Sequence, residues 1–279
     1  MLGLDFIGRK LARYLAEPSK SDVRVATCQP KQLAAALRKG DVLLVDGTSR
    51  ISTAIKYLTQ STWSHAALCV TESSGSQYPD EQDIELVEAD MVEGVRRVSL
   101  NEYSSLHTRI CRPVGLSQYQ IDDVVDYMVS RIGFQYDLKN IFDLARYLVQ
   151  TPPVPVRWRR RLLALGSGDP TKAICSSLIA QAFQAVRYPI LPESVVVKSK
   201  DPSCVNCYDE ILHIRHHSLF APRDFDISPY FRIVKPTIES GFNPNRLVWD
   251  KDDKDLRNLP NKKIARSLRR KKRNLVDVL

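Results

Sequence analysis

The apolar pattern begins with helical spacing. Leu4, Ile7, Leu11 and Leu15 recur on one face, with Arg9, Lys10 and Arg13 elsewhere on the wheel, which predicts a short basic amphipathic helix. Such a face either docks on the body of the protein or lies on an anionic lipid surface. After a polar loop over Glu17–Ser21, the run Asp41-Val42-Leu43-Leu44-Val45-Asp46 predicts a short buried strand, and Ile51, Ile55 and Leu58 share one helical face. Ser64–Val70, Ile84–Ala89, Gly94–Val98 and Thr108–Arg112 read as further strands between polar turns.

The pattern then turns helical. Ser117 and Gln120 form a capping-box signature before Ile121, Val124, Val125 and Met128, and Gly133 is expected to end that helix. Asp137 can cap a second helix carrying Leu138, Ile141, Phe142, Ala145 and Leu148, which Pro152-Pro153 stops. A loop at Gly166–Pro170 precedes a third helix, opened by Cys175, with Leu178, Ile179, Ala182, Phe183 and Val186 on its apolar face. Strands first and helices afterwards indicate an α+β fold with an antiparallel sheet, not alternating βαβ units.

Composition and charge narrow the picture. The 279 residues are 43% hydrophobic and 26% charged, ordinary values for a chain that buries a core. Of the net charge of +9, nearly all comes from residues 256 to 279, whose nine Lys and Arg face one acid, Asp277. The body is therefore close to neutral, which argues against a specific nucleic-acid-binding face, while the tail suits an anionic membrane surface. The N-terminus has no secretory h-region and no apolar run reaches the length of a membrane span, so the expected location is cytoplasmic, with peripheral contact at the inner membrane face. The six cysteines are dispersed and read as free thiols.

Cys175 stands out by position. A thiol in the first turn of a helix faces unpaired backbone N–H groups and the positive end of the dipole, which favour the thiolate and can hold an oxyanion. A buried, inert core thiol is the alternative. A nucleophilic thiol needs a base, and His65 lies in the strand-like run Trp63-Ser64-His65-Ala66-Ala67-Leu68-Cys69. The imidazole in turn needs an acceptor. Period two places Glu88 with Ile84 and Leu86 and places Glu85 with Val87, so the two acids occupy opposite faces. Glu88, closing an apolar face, is the favoured partner of His65, and Glu85 the substitute.

These residues fall in a known order: the strand Gly40–Leu44, a short helix, Thr62-Trp63-Ser64-His65, Val87-Glu88-Ala89 with Gly94-Val95, Phe134-Gln135-Tyr136-Asp137 and Ile174-Cys175-Ser176-Ser177-Leu178. The chain resembles the circularly permuted branch of the NlpC-type, papain-like cysteine hydrolases, in which the histidine strand precedes the cysteine helix. Ala221–Asp226 with Ser228-Pro229 is similar to the closing segment of that branch. The resemblance implies a papain-like fold, with Cys175 as nucleophile, His65 as base, Glu88 as third residue, and Trp63 and Tyr136 within the matching motifs contacting substrate. It implies amide cleavage on peptides, or acyl transfer on lipids as in the related lecithin:retinol acyltransferase, with no cofactor. A non-catalytic lipid- or peptide-binding module of the same fold is the contrasting expectation.

Two further features complete the reading. Cys204-x-x-Cys207 with His213, His216 and His217 has ligand types for zinc, but the spacing is short, so polar loop residues and no metal are expected. Trp158 among Arg157, Arg159, Arg160 and Arg161 reads as a basic surface segment. The expected organisation is an N-terminal helix and linker over 1–29, a papain-like catalytic domain over 30–235, and a disordered basic tail over 236–279. Oligomeric state is left open.

Overall fold

A computed structural model describes residues 14–17, 26–71, 80, 82–90, 92–134, 174–198, 208–213, 216 and 220–246. Its centre is a six-stranded sheet of β1 (Val42–Asp46), β2 (His65–Cys69), β3 (Glu85–Asp90), β4 (Gly94–Ser99), β5 (His107–Pro113) and β8 (Phe231–Val234). Their spatial order is β4-β3-β2-β1-β5-β8, and every neighbouring pair is antiparallel. β6 (Glu193–Lys198) and β7 (Tyr208–His213) form a separate two-stranded ribbon. Helices pack on this sheet, so the fold is α+β.

The central strands are buried on both faces, which explains why Val42-Leu43-Leu44-Val45 reads as a continuous apolar run. On one face Val42, Leu44, Ala66, Leu68 and Val87 meet Val124 and Met128 of the Gln118–Val129 helix and Ile179 and Phe183 of the Ile174–Ala185 helix. On the other, Leu43, Val45, Ala67 and Leu86 meet Leu33 of the Pro30–Ala36 helix and Leu100 and Tyr103 of a 3₁₀ turn.

A buried ion pair ties the edge of this second layer to the sheet. Arg112 on β5 reaches Asp41 with Nε at 2.8 Å and Nη2 at 2.6 Å, and Nη2 also donates to the Ala36 carbonyl at 2.6 Å. Asp41 accepts as well from the backbone N–H of Arg38 at 2.9 Å. The carboxylate thus holds the turn between the Pro30–Ala36 helix and β1.

Helix ends follow the local chemistry. Ser117 and Gln120 make the reciprocal capping box. The helix they start ends at Val129 with Ser130 as its cap, and Gly133, at φ +89°, sits in the turn beyond it, so the stop comes earlier than the glycine suggests. Ser49 caps the Arg50–Thr59 helix by accepting from the Ser52 amide at 3.1 Å. That helix ends on Gln60 in the left-handed region, φ 52°, and the chain turns back towards β2 through Ser61–Ser64.

Two compact units are distinguished, Met1–Ser240 and Gly241–Leu279. The first includes a short helix over Pro236–Glu239, packed against Pro30–Ala36, where the sequence pattern suggests the start of the tail. In the second, a 3₁₀ turn over Pro244–Arg246 is described. Among the described residues no helix is long and apolar enough to cross a membrane.

Candidate active site

The first residue of β2 is His65, opposite Val45 on β1. Glu88 on β3 lies opposite Ala67, two residues along the same face of β2. The diagonal neighbour across antiparallel strands is within reach of a long side chain, and Ala67 is small enough to leave the way open. Glu88 uses that freedom: its Oε2 contacts Nε2 of His65. Cys175, in the first turn of the Ile174–Ala185 helix, supplies the third group and lies close enough to His65 to interact with its side chain. That helix packs on β2 and β3, which delivers its N-terminus to the histidine.

The two acids on β3 differ sharply. Glu88 is 3% exposed, whereas Glu85 is 48% exposed and pairs with Arg97 at 2.5 Å. The alternation in the sequence separates them correctly onto two faces. It gives no sign of the two groups that hold Glu88. Arg96, directly across on β4, donates from Nε to Oε1 at 2.8 Å and from Nη2 to the same oxygen at 2.7 Å. The hydroxyl of Tyr103 donates to Oε2, the oxygen that also meets His65, and lies 3.5 Å from His65 Nε2.

Electrostatics follow from this packing. Burial disfavours the charged form of Glu88, but His65, the Tyr103 hydrogen bond and Arg96 outweigh it and bring the carboxyl down to about 2. Burial likewise works against a charged imidazole, yet the neighbouring Cys175 and Glu88 hold the pKa of His65 well above its ordinary value. Burial and the Glu88 charge push the Tyr103 phenol well up, so it stays a donor. The site therefore favours an imidazolium beside an anionic carboxylate.

The other thiols have different surroundings. Burial pushes Cys69 up to about 12 and also raises Cys111 and Cys28. All four described cysteines are free.

Trp63 is buried, and its Nε1 donates to Asp226 Oδ2 at 2.9 Å. Asp226, at the end of the Pro222–Asp226 helix, also pairs with Arg109 at 2.6 Å, and that guanidinium lies 4.9 Å from the Trp63 ring centre. The closing segment thus pins the residue that leads into the histidine strand. Tyr136 lies outside the described residues, as do Leu4, Ile7, Leu11, Trp158, Cys204, Cys207, His217 and the basic tail. His213 is the last residue of β7, an extended strand and not the polar loop its surroundings suggest. Among the described residues no cluster of three or more His, Cys, Asp or Glu suited to a metal occurs.

Residues 36–147 match the permuted papain-like amidase enzyme family YaeF/YiiX. The matched stretch holds the histidine strand and its acid partner and stops before Cys175. Over that stretch the chain is similar to a permuted papain-like family, in keeping with the order of the sequence motifs. A solved structure, the metalloprotein YiiX from Escherichia coli O157:H7, is similar over 72% of this chain and 97% of that one, with 16% identity and a TM-score of 0.42. No curated protein matches the chain.

Proposed function

We propose that this protein is a cysteine amidase in which Cys175 is the nucleophile, His65 the general acid and base, and Glu88 the group that orients His65. The observation that carries this reading is the convergence of the three side chains from β2, β3 and a helix N-terminus. The amidase family match supports the reaction class. Its chemistry needs no metal and no organic cofactor.

The steps follow from the geometry. With Nε2 of His65 engaged by Glu88, Nδ1 is the nitrogen left to exchange a proton with the thiol. The thiolate attacks the amide carbonyl carbon, an S–C bond forms, and the carbonyl oxygen takes the electron pair. Backbone N–H groups at the helix start are unpaired within the helix and can hold that oxyanion. The C–N bond then breaks as His65 protonates the departing amine. Water, deprotonated by His65, attacks the thioester, releasing a carboxylic acid and restoring the thiolate–imidazolium pair. An amine or lipid hydroxyl in place of that water would turn the same intermediate to acyl transfer. Hydrolysis is the reading adopted, because it needs no second binding site.

A covalent acyl-enzyme is the direct test. Incubation of the full chain with p-nitrophenyl acetate should leave an acetyl group on Cys175, seen by peptide mass mapping and removed by hydroxylamine. Acetylation confined to other residues would remove the assignment.

A further inference from the structure

At the end of the sheet where β2 begins, a cleft of about 410 Å³ opens between the turn after the Arg50–Thr59 helix, β5 and the Pro222–Asp226 helix. This is within the size range of small-molecule sites. It lies at the His65 end of the sheet by register: Asp46 pairs with His107, a lining residue, and the preceding Val45, on the opposite face, pairs with His65, while Trp63 in its wall belongs to the same buried cluster as Cys175. Thr62 and Trp63, both in the wall, lead into Ser64 and His65.

The wall is polar and its charges do not cancel. Among the described lining residues Asp226 is the one carboxylate, and both its oxygens are engaged, Oδ1 by Arg109 and Oδ2 by Trp63. Arg223 is the second cation, and its Nη1 donates to the Thr59 carbonyl at 3.1 Å, which fixes the guanidinium at the rim. A guanidinium has five N–H donors, so this bond leaves Arg223 donors for a ligand. Ser61 accepts from the Trp63 amide at 3.0 Å through its hydroxyl oxygen and keeps its hydrogen to donate. Two guanidiniums against one carboxylate give a net charge of one, which suits a monoanion. The planar fork of an arginine fits a planar carboxylate.

We propose that this cleft holds a free carboxylate of the substrate, with Arg223 as its principal ligand and Arg109 as a supporting charge. Resting on the amidase reading, this makes the substrate class acyl amides that carry a carboxylate close to the scissile bond. Asp226 and Trp63 are then positioning residues, because they hold Arg109 in the wall instead of touching the ligand.

The test compares N-acetyl-dialanine with its C-terminal amide, titrated calorimetrically into the full chain carrying Cys175→Ala, so that binding is read without turnover. The acid should bind about tenfold more tightly than the amide, in line with a charge-assisted hydrogen bond. Arg223→Gln should abolish that preference, and Arg223→Lys, which keeps the charge and loses the fork, should retain part of it. Thermal melting of each variant checks that it is folded. Equal binding of acid and amide would overturn the proposal, as would an acid preference undiminished in a folded Arg223→Gln chain. Inorganic phosphate displacing the acid with higher affinity would also overturn it, by making the cleft a phosphate site. An acid preference that depends on Arg223 beside an unreactive Cys175 would uphold the cleft and refute the amidase reading.

Discussion

Tyr103 donates its hydroxyl to the same oxygen of Glu88 that meets His65. Arg96 occupies the other oxygen, so the carboxylate is gripped from β4 and from the turn that follows it. A side chain held at both oxygens cannot rotate away from the imidazole, and that restraint is what an orienting carboxylate requires. Tyr103→Phe keeps the ring and removes only the donor. We expect amide turnover to fall by roughly tenfold, the scale of a hydrogen bond to a charged group, with the fold intact. A Tyr103→Phe enzyme with unchanged turnover and an unchanged pH profile would show that the phenol is packing alone.

The contrast between Glu88 and Glu85 gives a paired prediction. Glu88→Gln should cut turnover by one or more orders of magnitude, because the imidazolium loses its counter-charge. Glu85→Gln removes an exposed ion pair with Arg97 and should change stability by less than about 0.5 kcal/mol, with normal turnover. Side-by-side steady-state assays decide between them. A crippled Glu85→Gln beside a healthy Glu88→Gln would reverse the assignment.

The same carboxylate shapes acid stability. Its pKa is lowered from 4.5 to about 2 in the folded chain, so the stabilisation it contributes is present above about 4.5 and is lost as pH falls towards 2. His65 works in the opposite direction, since its raised pKa gives a contribution that is complete below 6.5 and fades as pH rises through the folded value. Thermal melts across pH should therefore show wild type losing its advantage over Glu88→Gln as pH is lowered from 5 towards 2. Parallel curves over that range would contradict the coupling.

Away from the site, the Asp41–Arg112 pair is a stability element. Asp41→Ala would leave a buried guanidinium without its carboxylate and should cost about 3 to 5 kcal/mol in denaturant unfolding. Any folded fraction should retain the reactivity of Cys175. A cost below about 1 kcal/mol would mean that solvent reaches the guanidinium and replaces the lost partner.

What the sequence made legible, and what it hid, follows from the range of each signal. The central strands were readable to within one or two residues because both their faces are apolar, and the capping box at Ser117 because its two partners are three residues apart. Alternation along one strand separated Glu88 from Glu85. The clamp was not readable: Arg96 beside Arg97 looks like a solvated strand surface, and only the cross-strand register sets it opposite Glu88. Tyr103 is 15 residues from Glu88, in a 3₁₀ turn too short to have a period. The Pro30–Ala36 helix, seven residues long, escaped for the same reason.

The basic tail carries the membrane proposal. Removing residues 250 to 279 takes away most of the net charge and little apolar surface, so it should leave thermal stability nearly unchanged and weaken binding to anionic vesicles at low salt. Vesicle sedimentation that is unaltered by the deletion would exclude the tail as an electrostatic anchor.

The most direct measurement of the central claim is the rate at which iodoacetamide alkylates each of the six cysteines near neutral pH, followed by peptide mass mapping. Cys175, beside an imidazolium and at a helix N-terminus, should be labelled first, well ahead of Cys69 and Cys111, whose thiols burial keeps protonated. His65→Ala should slow its labelling by about tenfold or more. Labelling of Cys175 that is slower than that of Cys69 and Cys111, or indifferent to the loss of His65, would contradict the nucleophile and base assignments together.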